Sequence, residues 1–242
     1  MALEIVESDD TGPIEIDPEV PSIISMFGKK QSGKSTVNRA IYKSWLGDKI
    51  CIDVNGDARP GGGESGLEGV EQLHLPLPAM MPPRDDNKPR NLYWRADPTS
   101  ATYQDDLDRA LRLVLFPKDQ AAMVWAGEVG EFCKGGGRTG PYLRLLLRQN
   151  AHYGATALMD DPRPVNTNRL IIGQADHAGT FRMPDPEDRR YFASVAGIDP
   201  KDFEAAHDEL IARGPYWWLH YANATDTLYL HPPLQIPQPT NA

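Results

Sequence analysis

Eight consecutive residues, Gly28-Lys29-Lys30-Gln31-Ser32-Gly33-Lys34-Ser35, carry the clearest chemistry in this chain. Two glycines five apart, followed at once by a lysine and a hydroxyl, form the pattern that wraps backbone amides around a chain of phosphates. The glycines let the amides turn inward around an anion, and a helix opening just after them adds its positive end. Lys34 supplies a point charge for the β- and γ-phosphates, and the Ser35 hydroxyl is a Mg²⁺ ligand. Thr36 is a weaker helper. In a chain of this composition the string arises by chance in about 1 in 200 sequences. A glycine turn that binds nothing is the bland alternative, and the flanking elements count against it.

Those elements must hold the loop in place. Residues 22–27 are a short apolar run that reads as a strand, and residues 35–46 read as a helix. Residues 49–53 form a second buried strand. Strand, loop, helix and strand in this order make a parallel sheet covered on both faces. Residues 55–90 are broken by Gly61-Gly62-Gly63 and by Pro76, Pro78, Pro82, Pro83 and Pro89, with one short strand expected over 71–75. Further strands are expected at 91–96, 121–126, 154–159 and 177–183, with helices at 103–116 and 141–153. Helices at 186–196 and 200–213 follow. Two alternating runs, 216–221 and 227–231, are separated by Asn223-Ala224-Thr225-Asp226, a hairpin signal. The expectation is one α/β domain over 21–231, with a flexible acidic arm at 1–20 and a loose proline-rich tail at 232–242.

The bulk numbers bound the function. The 242 residues are 40% hydrophobic, enough for a core, and no stretch approaches the ~18 apolar residues of a membrane span. Nothing at the start reads as a secretory signal, so no membrane partner and a cytoplasmic location are expected. Cys51 and Cys133 are too few for a disulfide framework or a cysteine-based zinc site and read as buried thiols. The net charge of −9 argues against a basic, free-standing nucleic-acid binder but not against a ring that touches DNA through a few residues. The histidines show no metal-ligand spacing, and Trp217-Trp218 in an alternating run read as packing rather than a base-stacking platform.

Beyond the phosphate loop, Ile50-Cys51-Ile52-Asp53-Val54-Asn55-Gly56-Asp57 ends a strand with an acid and a glycine turn. Met123-Val124-Trp125-Ala126-Gly127-Glu128 follows, then His152-Tyr153-Gly154-Ala155-Thr156-Ala157-Leu158, then Arg163-Pro164-Val165-Asn166, and the hairpin after Gly214. In this order they resemble the HerA/FtsK group of translocating ATPases, including the small genome-packaging ATPases of viruses. The resemblance runs from about Ser22 to Leu230. It implies a three-layer P-loop NTPase, RecA/FtsK-like, with a mainly parallel sheet and a C-terminal β-hairpin. It also implies a homo-oligomeric ring, a hexamer in this family, that binds ATP and Mg²⁺ between subunits and moves double-stranded DNA through its centre. Virion proteins would be further partners, in a host cytoplasm or a virion.

The resemblance assigns Glu128 to polarising the attacking water, and it exposes three departures. Where the family has an acid that supports Mg²⁺ through water, this chain has Gly127. The family's Arg-His-x-Gly reads Ala151-His152-Tyr153-Gly154 here, and its phosphate-sensing Gln falls on Pro162. Glu131 is a second candidate for the working acid, against a reading as a solvated loop charge. Asp160 or Asp161 is a candidate replacement for metal or water positioning, against a reading as plain loop acids. Arg138, Arg144, Arg148 and Arg163 are arginine-finger candidates, each weighed against an ordinary surface charge. Lys134 and Arg138 in a glycine-flanked loop suit contact with a phosphate backbone in a ring pore, or are simply a flexible loop. Three function classes therefore stand: a DNA-moving ATPase, a nucleotide-binding assembly protein with weak or no hydrolysis, and a small-molecule phosphotransferase with its lid at 135–148.

Overall fold

The run at 22–27 becomes β2 (Ile23–Phe27), buried along its whole length because both of its faces are covered. Side chains alternate along a strand. Ile23 and Phe27 therefore enter one apolar core, while Ile24 and Met26 enter another on the opposite face. The computed structural model describes residues 5–235 apart from 10, 11, 13, 57, 59, 62–65, 82–87, 117–120 and 135–137.

Around β2 the chain runs β1 (Ile5–Glu7), then after β2 α1 (Lys34–Ser44), β3 (Asp48–Asp53), β4 (Glu71–Gln72) and β5 (Asn91–Arg95). Next come α2 (Tyr103–Ala110), α3 (Arg112–Leu115), β6 (Ala122–Ala126), the small ribbon β7 (Cys133–Lys134) and β8 (Arg138–Thr139), and α4 (Pro141–Tyr153). The rest is β9 (Ala155–Asp161), α5 (Arg169–Gly173), β10 (His177–Thr180), α6 (Pro186–Ala196), α7 (Pro200–Arg213), β11 (Trp218–Ala222) and β12 (Thr227–His231). Ten strands form one sheet in the order β1-β12-β11-β10-β2-β9-β6-β3-β5-β4. Pairing is parallel except between β10, β11 and β12, where the closing hairpin runs back. Helix α1 packs on one face through Val37, Ile41 and Tyr42. Helices α2 to α7 supply the other through residues such as Leu113, Leu143, Phe192 and Phe203. The fold is the expected three-layer α/β architecture with a mainly parallel sheet.

Several boundaries move, for identifiable reasons. Helix α1 stops at Ser44 because Trp45 is extended and the Lys49 ammonium donates to the carbonyls of Tyr42 and Trp45 at 3.0 and 2.8 Å. Strand β9 extends two residues beyond 159, because Asp160 and Asp161 stay in register with Met26 and Phe27. These two acids are therefore strand residues rather than loop acids. The helix expected over 103–116 is two pieces meeting at Leu111. The arm expected at 1–20 is partly docked: Ile5–Glu7 pair with Leu228–Leu230, and Ile14 and Ile16 pack against the α1-side core. That face carries a single helix, so Cys51, Tyr93, Met123 and Trp125 need further cover. Leader residues supply it, with Leu234 from the tail; each apolar side chain fully buried this way is worth about 1.5–3 kcal/mol. Cys51 is buried as expected, while Cys133 is half-buried.

Candidate nucleotide-binding site

The glycine loop is held at the carboxyl end of β2, where the strand's chain leaves the sheet. Gly28 has φ 151°, and a Cβ there would lie 2.6 Å from the Phe181 Cβ, so no larger residue fits without a shift. Gln31 and Gly33 are left-handed at φ 64° and 101°. Left-handed positions among right-handed ones curl successive amides toward one point, the geometry that receives anions. Gly33 precedes the first turn of α1, and no side chain caps that helix start. The Ser32 hydroxyl is buried without a hydrogen-bond partner among the described residues. Loop residues 28–36, with Arg39, Asn55, Glu128, Pro162 and Tyr216, line a cavity of about 660 Å³, within the usual range for a small-molecule site.

The acids stand on one flank of this loop. Lys34 is ion-paired with Asp160, through its Oδ1. The other oxygen, Oδ2, accepts from the Asn38 amide and the Trp125 indole, both at 2.8 Å. Asp160 is thus buried and fixed from three elements, α1, β6 and its own β9. A Cβ built at Gly127 would lie 3.9 Å from Asp160 Oδ2. The carboxylate absent from Gly127 is therefore matched by one reaching the same neighbourhood from the adjacent strand. Glu128 follows in a left-handed turn at φ 51°, and Asn55 donates to its Oε1. Lys34, Ser35, Asp53, Glu128 and Asp160 line a common narrow cleft.

Two other acids there are structural. Asp53 accepts from the amides of Gly56 and Ala58 at 2.8 and 3.2 Å and from the Tyr93 hydroxyl at 2.8 Å, which shapes the turn carrying Asn55. Asp161 accepts from the amides of Gly130 and Arg163 at 2.8 and 2.9 Å. Burial lifts its pKa to about 6 against those two bonds, with Asp160 and Glu128 adding to the rise.

The fit to Mg²⁺ rests on this donor set. No group of three or more His, Cys, Asp or Glu suited to a metal occurs among the described residues. Mg²⁺ needs no such cage, because it is usually held by one or two protein oxygens, waters and the substrate's phosphates. The Ser35 hydroxyl and the Asp160 carboxylate in one cleft meet that requirement.

The remaining candidates fall apart from this group. Gly28, Lys29, Lys30, Gln31, Ser32, Gly33, Lys34, Ser35 and Thr36 all line the cavity, and Glu128 joins them. Glu131 does not; it is exposed on a tight turn, Val129–Phe132, where its carbonyl accepts from Gln104. Arg138 is exposed on the β7–β8 ribbon with Lys134 beside it, and residues 135–137 lie outside the described residues. Arg144 and Arg148 are exposed on α4. Arg163 is bound within its own subunit, to Asp185 at 2.6 Å and Asp188 at 2.9 Å. Pro162 lines the cavity where a polar residue was looked for. Trp218 is fully buried, stacked on Phe181 and His231.

Asn38, Arg39, Asn55, Trp125 and Tyr216 belong to the site and were not singled out from the sequence as part of it. Asn38 carried a signal, since it lies one helical turn after Lys34 and so shares its face. Tyr216 carried none beyond its Gly214-Pro215 turn.

No family model matches the sequence, and no curated protein matches it. Solved structures do. The chain is similar to the genome packaging NTPase B204 from Sulfolobus turreted icosahedral virus 2 in complex with ATP-gammaS, at 18% identity and TM-score 0.66, covering 91% of this chain and 100% of that one. The same protein in complex with AMP gives 16% and 0.63 over the same shares. The pCW3 conjugation coupling protein TcpA, in its monomer form with ATPgS, matches at 15% identity and TM-score 0.56, covering 95% of this chain and 64% of that one. At such identities the likeness speaks to the fold, an α/β architecture that the chain shares with this packaging NTPase and this coupling protein.

Proposed function

We propose that this chain binds ATP with Mg²⁺ and hydrolyses it to drive movement of double-stranded DNA, as in packaging of a viral genome. One observation carries the reading: the phosphate-loop lysine, the Ser35 hydroxyl, Glu128 and Asp160 share one cleft at the carboxyl edge of a parallel sheet. Ligands bind at such edges in open α/β sheets. The fold likeness to a packaging NTPase and a conjugation coupling protein supports the direction.

Each residue has a defined task. The loop amides and Ser32 enclose the phosphates, and Lys34 leaves Asp160 to meet the terminal ones. Ser35 and Asp160 are the residues that would hold Mg²⁺, which when bound offsets phosphate charge. Glu128, oriented by Asn55, accepts a proton from water as its oxygen bonds to the γ-phosphorus and the bond to the ADP oxygen breaks. The acids lie on one flank of the loop, which leaves the transferring group open to an arginine from a neighbouring copy. A homo-oligomeric ring, with Arg138 or Arg148 as donor, would supply it. Its place would be a host cytoplasm or a virion. No described helix is long and apolar enough to cross a membrane.

The test is phosphate release with and without double-stranded DNA, alongside the mass of the assembly. Turnover should rise with DNA, fall to background in Lys34→Ala, and drop by about 10²-fold or more in Glu128→Gln. Unchanged turnover in Glu128→Gln removes that residue from the mechanism. A second reading rests on Gly127 and Pro162: a nucleotide-binding assembly protein with weak hydrolysis. It predicts Lys34-dependent ATP binding with turnover near background, and brisk DNA-stimulated hydrolysis eliminates it.

A further inference from the structure

A triphosphate lying in this loop has a direction, and the sheet order sets it. Glu128 and Asp160 stand at the ends of β6 and β9, both on one side of β2. With its terminal phosphate facing those acids, the nucleotide's sugar and base extend the other way, toward β10 and β11. There the connection from α7 to β11 passes over the loop. Tyr216 in that connection is 55% exposed and left-handed at φ 68°, a conformation uncommon for a bulky residue. Its ring edge lies 3.3 Å from the point where a Gly33 side chain would begin, so the glycine makes room for the ring above the phosphate loop. Tyr216 also borders a second cavity of about 250 Å³, lined by Arg182, Leu210, Ile211, Pro215 and Trp217.

Building on the nucleotide reading above, we propose that Tyr216 is the platform on which the base stacks, with the smaller cavity receiving the base's outer edge beside Arg182. A flat phenol ring with an open face matches the flat face of a base. Leu210, Ile211 and Trp217 in the cavity's wall accept the ring edge, and the Arg182 guanidinium donates to ring nitrogens or carbonyls. The larger stacking area of a two-ring base makes the site selective for purine over pyrimidine nucleoside triphosphates. It also makes the site prefer either to inorganic triphosphate.

Calorimetry on the full chain tests this, with MgATP, MgCTP and magnesium tripolyphosphate as probes. The expected order of affinity is ATP, then CTP, then tripolyphosphate. Tyr216→Ala should weaken ATP about tenfold and leave tripolyphosphate unchanged, and Tyr216→Phe should keep wild-type ATP affinity. In Tyr216→Trp, ATP should quench the added emission and tripolyphosphate should not. Wild-type ATP affinity in Tyr216→Ala overturns the platform, as does an equal loss for ATP and tripolyphosphate. If the wild-type chain binds no ATP, or Lys34→Ala binds it equally well, the nucleotide reading itself fails. A lost Lys34 effect and a lost Tyr216 effect are thus separate outcomes.

Discussion

At the scale of single residues, Asp160 is paired with Lys34, and the Mg²⁺ role proposed for it cannot operate at the same time. Its Oδ1 neutralises Lys34, while Asn38 and Trp125 clamp Oδ2. On the proposed function, the lysine's turn to phosphate would leave the clamped carboxylate facing the cleft with a charge that a cation beside Ser35 would satisfy. The Asp160→Asn variant separates the two states. Without Mg²⁺, ATP should bind more tightly than in the wild type, because Lys34 no longer gives up a charge-assisted bond of about 1.5–3 kcal/mol. With Mg²⁺ the gain in affinity that the metal brings to the wild type should shrink. Calorimetry in chelator and in Mg²⁺ reads both effects, and a variant with an undiminished Mg²⁺ gain removes Asp160 from the metal's surroundings. The sequence showed the loss at Gly127 and offered Asp160 or Asp161 as its replacement without choosing between them, because the two acids are adjacent in the chain and more than 30 residues beyond the gap. Only the pairing of β9 beside β6 brings Asp160 near.

At the scale of elements, the α7 helix and the closing hairpin keep His207 and His220 neutral. His207 accepts from the Met183 amide at 3.1 Å, a role open only to an unprotonated ring nitrogen. Burial first, then Arg189, lowers its pKa to about 4, with Arg182 in the same sense and Glu204 and Asp208 opposing. In the hairpin, burial lowers His220 to about 3, with His177 and His231 adding repulsion. An unfolded histidine titrates near 6.5, so the unfolded chain takes up protons that the native chain refuses as pH falls below that value. Stability from these rings is complete above about 6.5 and declines toward 4. Asp161, raised to about 6, works in the opposite sense below that pH, so the histidine effect is cleanest between 7 and 6. Thermal melting should show Tm falling across that interval, and His207→Gln, which keeps an acceptor, should flatten the fall. A Tm level from pH 7 to 6 contradicts this account. The hairpin itself was legible from its alternation and its Asn223–Asp226 turn. The strand β1 was not, since three residues of an acidic leader have no periodicity, and only the open edge of β12 gives them a partner.

At the scale of the whole molecule, the layers were readable because apolar runs and helical periods repeat along the chain in a βαβ order. What escaped was cover from outside the regular elements: Ile14, Ile16 and Leu234 on the thin α1 face. Charge is the other property of the whole. A chain with net charge −9 repels DNA on average, so any DNA contact has to be concentrated where positive charge gathers. In the β7–β8 ribbon Lys134 is in register with Arg138, and a symmetric ring would multiply that pair around its opening. Binding to phosphates releases counterions, so affinity falls with salt by about 0.9 log units per log unit for each phosphate neutralised. Measured from 50 to 200 mM salt, the double variant Lys134→Ala and Arg138→Ala should therefore lose affinity for DNA and show a shallower slope. The slope should drop by about two contacts per engaged subunit, equally for unrelated DNA sequences. A weakened but equally steep salt dependence would place the DNA elsewhere on the molecule. The net charge of −9 makes this a sharp measurement, because the chain's 25 lysines and arginines are outnumbered by its 34 acids.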